Sequence, residues 1–190
     1  MAKRVALCAL LGGLAMFLWS SLIHMATPLG SAGVREISRD REDAVLRAMR
    51  DGIAEEGLYL FPGFGLAPGA PRDQAAQKRW QERYLTVPHG VLVYHPPGGA
   101  LDLPTLLGVE FLSDVLLAAV AAVLLGRAKI RDYGQRVLFV SLMGVLPFLA
   151  IDVSLANWYG FPLAFALASL VDQLGAFILA GFVLAWQMKP

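Results

Sequence analysis

The chain has 190 residues, 57% of them apolar, with 16 basic residues against 15 acidic ones and a formal net charge of +1. That size suits one membrane domain with a small soluble part and leaves no room for a second full-sized soluble domain. The balanced charge, with no long basic tract, argues against nucleic-acid binding. A single cysteine, Cys8, excludes an intrachain disulfide and a cysteine metal cluster.

Residues 1–25 open with Lys3 and Arg4 and continue as an apolar run from Val5 to Ile23. The run is long for a signal-peptide core and no A-x-A cleavage site follows, so it is read as an uncleaved first transmembrane helix. Asn157 is the only asparagine, and it opens no glycosylation sequon.

Residues 26–102 form the one sizeable polar stretch, expected to be a small α+β cap. Ser38 is a candidate N-cap, followed by Asp40, Glu42 and Asp43 where the helix dipole favours acids. Val45, Leu46, Met49 and Ile53 recur at helical spacing, and Gly57 can end that helix. Residues 58–61 and 90–95 are short aromatic and aliphatic runs bounded by Pro and Gly, and read as two pairing strands. Between them, residues 71–84 suit a second helix with Trp80 and Tyr84 on one face. Pro68, Pro71 and Pro88 punctuate the connections.

Residues 103–187 hold three further apolar runs, about 103–125, 137–155 and 161–186, each long enough to cross a bilayer. Short connections make consecutive helices antiparallel neighbours. The fold class expected is therefore a membrane all-α four-helix bundle with an extracytoplasmic α+β cap inserted between helices 1 and 2. Lys3, Arg4, Arg127, Lys129, Arg131, Arg136 and Lys189 flank the spans on one side against Asp132 alone. The positive-inside rule places that side, with both termini, in the cytoplasm, and the cap outside. Ala, Leu, Gly and Arg-rich usage points to a bacterial inner membrane. Trp19, Trp158, Tyr159 and Trp186 fall near span ends as interfacial anchors.

Four carboxylates interrupt the apolar runs. A charged side chain at the bilayer centre costs roughly 2.5–3.5 kcal/mol on insertion scales, so Glu110, Asp114, Asp152 and Asp172 are expected to face protein, water or one another. Helical rise places Asp114 and Asp172 roughly 15–16 Å in from the outer span ends, and Glu110 and Asp152 roughly 6–9 Å in. Asp114 shares a four-residue stripe with Ala118 and Ala122, as Asp172 does with Ala168, Ala176 and Ala180. Small residues at this interval let helices approach closely, so the two aspartates are expected to face each other or a shared cavity. Gln173 joins them as a candidate hydrogen-bonding partner. The set suits proton or cation handling, or polar contacts that hold the helices together.

His24, His89 and His95, with Met25, are the remaining candidate ligands, and copper is the metal their chemistry would suit. Their spacing forms no local site, and no cofactor or metal is expected. Two aspartates on separate spans invite comparison with intramembrane aspartyl proteases. The surrounding Phe111-Leu112-Ser113-Asp114-Val115 and Leu170-Val171-Asp172-Gln173-Leu174 lack the tyrosine and glycine neighbours of those families. In layout, four spans with one large first outer loop, the chain resembles claudin-like tetraspan proteins. That resemblance covers topology alone, because the outer-loop tryptophan and paired cysteines of claudins have no counterpart here.

These features favour an integral-membrane accessory, assembly or scaffold protein rather than an enzyme. Its partners would be membrane lipids together with a protein partner or a second copy of the chain. The alternative is a small proton-coupled or cation transporter using the intramembrane acids. A membrane enzyme acting on a lipid-linked substrate is third.

Overall fold

The computed structural model describes residues 2–67 and 69–188. In chain order the helices are α1 (Ala2–Ala26), α2 (Arg39–Gly52), α3 (Gln74–Tyr84), α4 (Leu103–Ala128), α5 (Tyr133–Tyr159) and α6 (Leu163–Gln187). Strands β1 (Gly57–Phe61) and β2 (Gly90–Tyr94) make the only sheet among the described residues, and a 3-10 turn, Pro28–Ser31, follows α1. Contacts divide the chain into two compact units. One holds the N-terminal stretch up to Arg35 and the chain from Asp102 onward; the other is Glu36–Leu101.

In the first unit, α1, α4, α5 and α6 are each long and apolar enough to span a membrane. Their ends are set by local chemistry. Asp102 caps α4 by accepting the Thr105 amide at 3.2 Å, and Lys129 ends it in the left-handed region at φ 54°. Asp132 then caps α5 through the Gln135 amide at 2.8 Å, and Gly160, at φ 72°, closes it. Because Asp132 starts the helix early, the third span is longer at both ends than residues 137–155. Pro147 lies inside α5 and offers no amide, and the turn after it, Phe148–Asp152, widens to a π-helix that carries the helix past the proline.

The packing order of the spans is α4, α1, α6, α5. The helix-neighbour expectation holds for α5 with α6, but α4 and α5 touch little although four residues join them, and α4 packs on α1 instead. The alanine stripes of α4 and α6 each meet α1. The reason is Gly12-Gly13. A β-carbon on Gly12 would lie 3.1 Å from the Ala118 Cβ and 2.6 Å from Leu184 Cδ1, and one on Gly13 would lie 2.6 Å from the Val115 Cα. Two bare backbone positions let α1 enter between the stripes. Cys8, Met16, Ala118, Ala122, Val140, Ala180 and Leu184 form the resulting core, each almost wholly buried.

In the second unit the strands pair antiparallel, with Leu58 opposite Val93, Tyr59 opposite Leu92 and Leu60 opposite Val91. Helix α2 stops at Gly52, before Gly57, which opens β1 instead. Ser38 precedes α2 through its backbone carbonyl, without a side-chain cap. Helix α3 begins after Pro71, where the Asp73 carboxylate accepts the Ala76 amide at 2.7 Å. Trp80 on α3 donates to the Pro62 carbonyl at 2.7 Å and stacks on Phe64, so the helix is tied to the chain leaving β1. Leu46 and Met49 of α2 line an open groove of about 570 Å³ against Leu92 and Tyr94 of β2.

Candidate functional site

Asp172 on α6 is the centre of the polar structure in the first unit. Its Oδ2 accepts the Ser20 hydroxyl at 3.1 Å and lies 3.2 Å from His24 Nε2. Its backbone carbonyl accepts the Trp19 indole N–H at 2.9 Å. Trp19, Ser20 and His24 belong to one face of α1, so a single helix supplies all three partners. Asp172 Oδ1, by contrast, is buried with no hydrogen-bond partner.

A cavity of about 100 Å³ opens beside this carboxylate. Ser169, Phe165 and Ala168 of α6 line it with Ile23 and His24 of α1 and the chain just beyond α1. That chain is folded back by Thr27, whose hydroxyl donates to the Ile23 carbonyl at 2.8 Å and accepts the Leu29 amide at 3.2 Å. Gly30 can then press onto the His24 backbone, where a β-carbon would lie 2.6 Å from the carbonyl oxygen. The His24 side chain is 59% exposed and that of Asp172 17%. The imidazole is therefore an outer wall and the carboxylate an inner one.

A second set joins at Ser169. Gln173 Nε2 donates to Asp152 Oδ2 at 3.1 Å and to Ser169 Oγ at 2.8 Å, and its Oε1 is buried without a partner. Asp152, on the π-helical turn of α5, is 5% exposed. The widened turn after Pro147 thus carries the residue that Gln173 reaches.

Asp114 is 6% exposed, and its Oδ2 also lacks a partner. The charges of Glu110 and Asp172 both act on it, although α1 packs between its helix and α6. Glu110 does not turn inward. It is exposed, as are the side chains through the first two turns of α4. Measured along α6, Asp172 is about two and a half turns in; measured along α1, it lies beside the last two turns of that helix.

The three histidines serve different places. His24 meets Asp172 in the first unit, whereas His89 stacks on Tyr84 with ring centroids 3.8 Å apart and His95 lies 3.6 Å from Glu56, both in the second unit. Among the described residues no group of three His, Cys, Asp or Glu side chains is placed to hold a metal ion.

Sequence reasoning missed Trp19, Ser20 and Ser169. A usable signal was there: Ser20 with His24 and Ser169 with Gln173 are polar pairs four residues apart inside apolar helices, and such pairs share a face. Chemically, the arrangement presents the Asp172 carboxylate, one oxygen of which has no hydrogen-bond partner, at a small cavity, and His24 is the basic side chain in contact with it.

What the fold defines is a protein of four helices able to span a membrane, with a buried polar network and a small two-stranded sheet. Compared with known protein families, with characterised proteins and with solved structures, the chain matches none.

Proposed function

We propose that this chain is an accessory or assembly subunit of a bacterial inner membrane, with both termini cytoplasmic and residues 26–102 outside. In this reading an apolar helix of a partner seats between α4 and α5. The observation that supports it is the gap those two helices leave. Ser113, Leu117 and Val120 of α4, Met143 and Pro147 of α5, and Phe177 of α6 line an apolar groove of about 620 Å³. Helices joined by four residues would ordinarily close on each other, and here they stand apart with α6 as the floor. Ser113 and Ala121 leave room for a close backbone approach on one wall. A photo-crosslinking residue at Leu117 or Leu146, in cells, should give a protein adduct of one reproducible mass, while one at the exposed Leu18 of α1 should give none. Lipid adducts alone at all three positions would sink this reading.

A second reading, a proton-coupled or cation transporter, is favoured by the unmet oxygens of Asp114, Asp172 and Gln173. A buried carboxylate without a donor is costly, and uptake of a proton or cation relieves that cost. Its test is pH-linked flux in liposomes, which Asp114→Asn with Asp172→Asn should abolish in a folded protein.

A further inference from the structure

We propose that the cavity between the end of α1 and α6 binds a primary ammonium group, with Asp172 as its anion and His24 as the side chain it displaces. The inference does not depend on the accessory-subunit reading.

The acceptor set selects the ligand. Asp172 Oδ1 is buried and accepts nothing, so the site lacks a donor rather than an acceptor. Ser169 Oγ lines the same cavity and offers a second lone pair. The rest of the lining is apolar: Ile23, Leu29, Ala32, Phe165 and Ala168. A primary ammonium carries three N–H donors on a short hydrocarbon stem, which matches one carboxylate and one hydroxyl at the inner wall and hydrocarbon around them. A multidentate metal ion does not fit, since no three ligating side chains converge among the described residues. The volume, about 100 Å³, holds roughly three water-sized groups, enough for a nitrogen and one or two carbons.

The charges around the cavity point the same way. Asp172 has His24 against it, and the acids Asp114 and Glu110 act on one another from α4, with Asp172 adding to the field at Asp114. Asp152 connects through Gln173 to Ser169. Asp172 is the one carboxylate that lines the cavity, and an incoming ammonium gives it a charged donor. When His24 is protonated it is itself the cation on Asp172, so it competes with the ligand.

Such an ammonium can come from a free small amine or from an aminophospholipid headgroup. The test uses the full chain in phosphatidylcholine nanodiscs, whose lipid has no N–H donor, with methylammonium as the probe and saturation-transfer NMR as the readout. Methylammonium should bind, and tetramethylammonium, bulky and without N–H donors, should not. Asp172→Asn should weaken binding by more than about tenfold. Ala168→Leu, which fills the cavity and leaves every charge in place, should do the same. His24→Gln should bind at least as well as the wild type. Repeating the titration with phosphatidylethanolamine in the disc identifies the source. Competition by the lipid assigns the site to a headgroup, and unchanged affinity assigns it to a soluble amine. Absence of methylammonium binding to the wild type in phosphatidylcholine, or equal binding by the wild type and both cavity variants, overturns the proposal.

Discussion

Gly13 of α1 faces the backbone of Val115 of α4 so closely that a β-carbon on the glycine would stand 2.6 Å from the Val115 Cα. No side-chain rotation relieves a clash with backbone, so Gly13→Val must drive the two helices apart. The expected loss is at the upper end of overpacking costs, about 1–3 kcal/mol. Gly108→Val on the uncovered start of α4, where nothing lies within 4 Å, is the matched control. Thermal melts of the two variants in the same detergent check this, and equal melting temperatures would contradict the α1–α4 contact.

Trp19 lies over Gly175, and a β-carbon there would clash with the Cε2, Cζ2 and Nε1 atoms of the indole. Gly175→Ala should therefore displace the ring and break its 2.9 Å hydrogen bond to the Asp172 carbonyl. Trp19→Phe removes the same bond and part of the ring that covers Gly175, so it should cost more than the ~1 kcal/mol of the hydrogen bond alone. With Trp80, Trp158 and Trp186 replaced by Phe, the emission of Trp19 should shift on Gly175→Ala. An unchanged spectrum would mean that the indole does not rest on that glycine.

Gln173 gives the buried Asp152 carboxylate its donor. Gln173→Leu strips that donor and should cost about 1–3 kcal/mol, while the double change Asp152→Leu with Gln173→Leu should recover much of the loss, since no buried oxygen of the pair is then left unmet. Denaturation of the single and double variants measures the coupling. Simple additivity would show that the pair contributes nothing jointly.

Asp102 makes a pH-dependent cap. The Thr105 hydroxyl, donating at 2.6 Å, is the larger influence and the Thr105 amide at 3.2 Å the smaller; together they hold the carboxyl below its ordinary value of 3.8. The folded cap releases its proton more readily than the unfolded chain, so its stabilisation is present above pH 3.8 and is lost as pH falls through the lower folded value. Thr105→Val should move the Asp102 midpoint back up toward 3.8. NMR titration of the carboxyl, with exchange of the Thr105 amide alongside, reads both effects.

Much of the local structure was legible because its causes are local. Apolar run length announced four spanning helices, breaker residues bounded two strands, and those strands do pair. Errors at element ends came from capping. Asp73 and Asp132, rather than Pro71 and Val137, decide where α3 and α5 begin, because their carboxylates accept amides three residues ahead. Glu110 shares the four-residue stripe of Asp114, yet it is exposed where Asp114 is buried, a difference that periodicity within α4 does not encode.

The sequence by itself determined that the chain has four apolar helices with carboxylates among them, since hydrocarbon length and the cost of burying charge follow from composition and spacing alone. Only the tertiary structure decided which residues those carboxylates meet. By seating Gly12-Gly13 of α1 between the alanine stripes of α4 and α6, the fold builds a network in which Ser20 and His24 face Asp172 and Gln173 faces Asp152. Which helix lies between which depends on backbone close approach between segments far apart in the chain, and no pattern within a single segment carries that information.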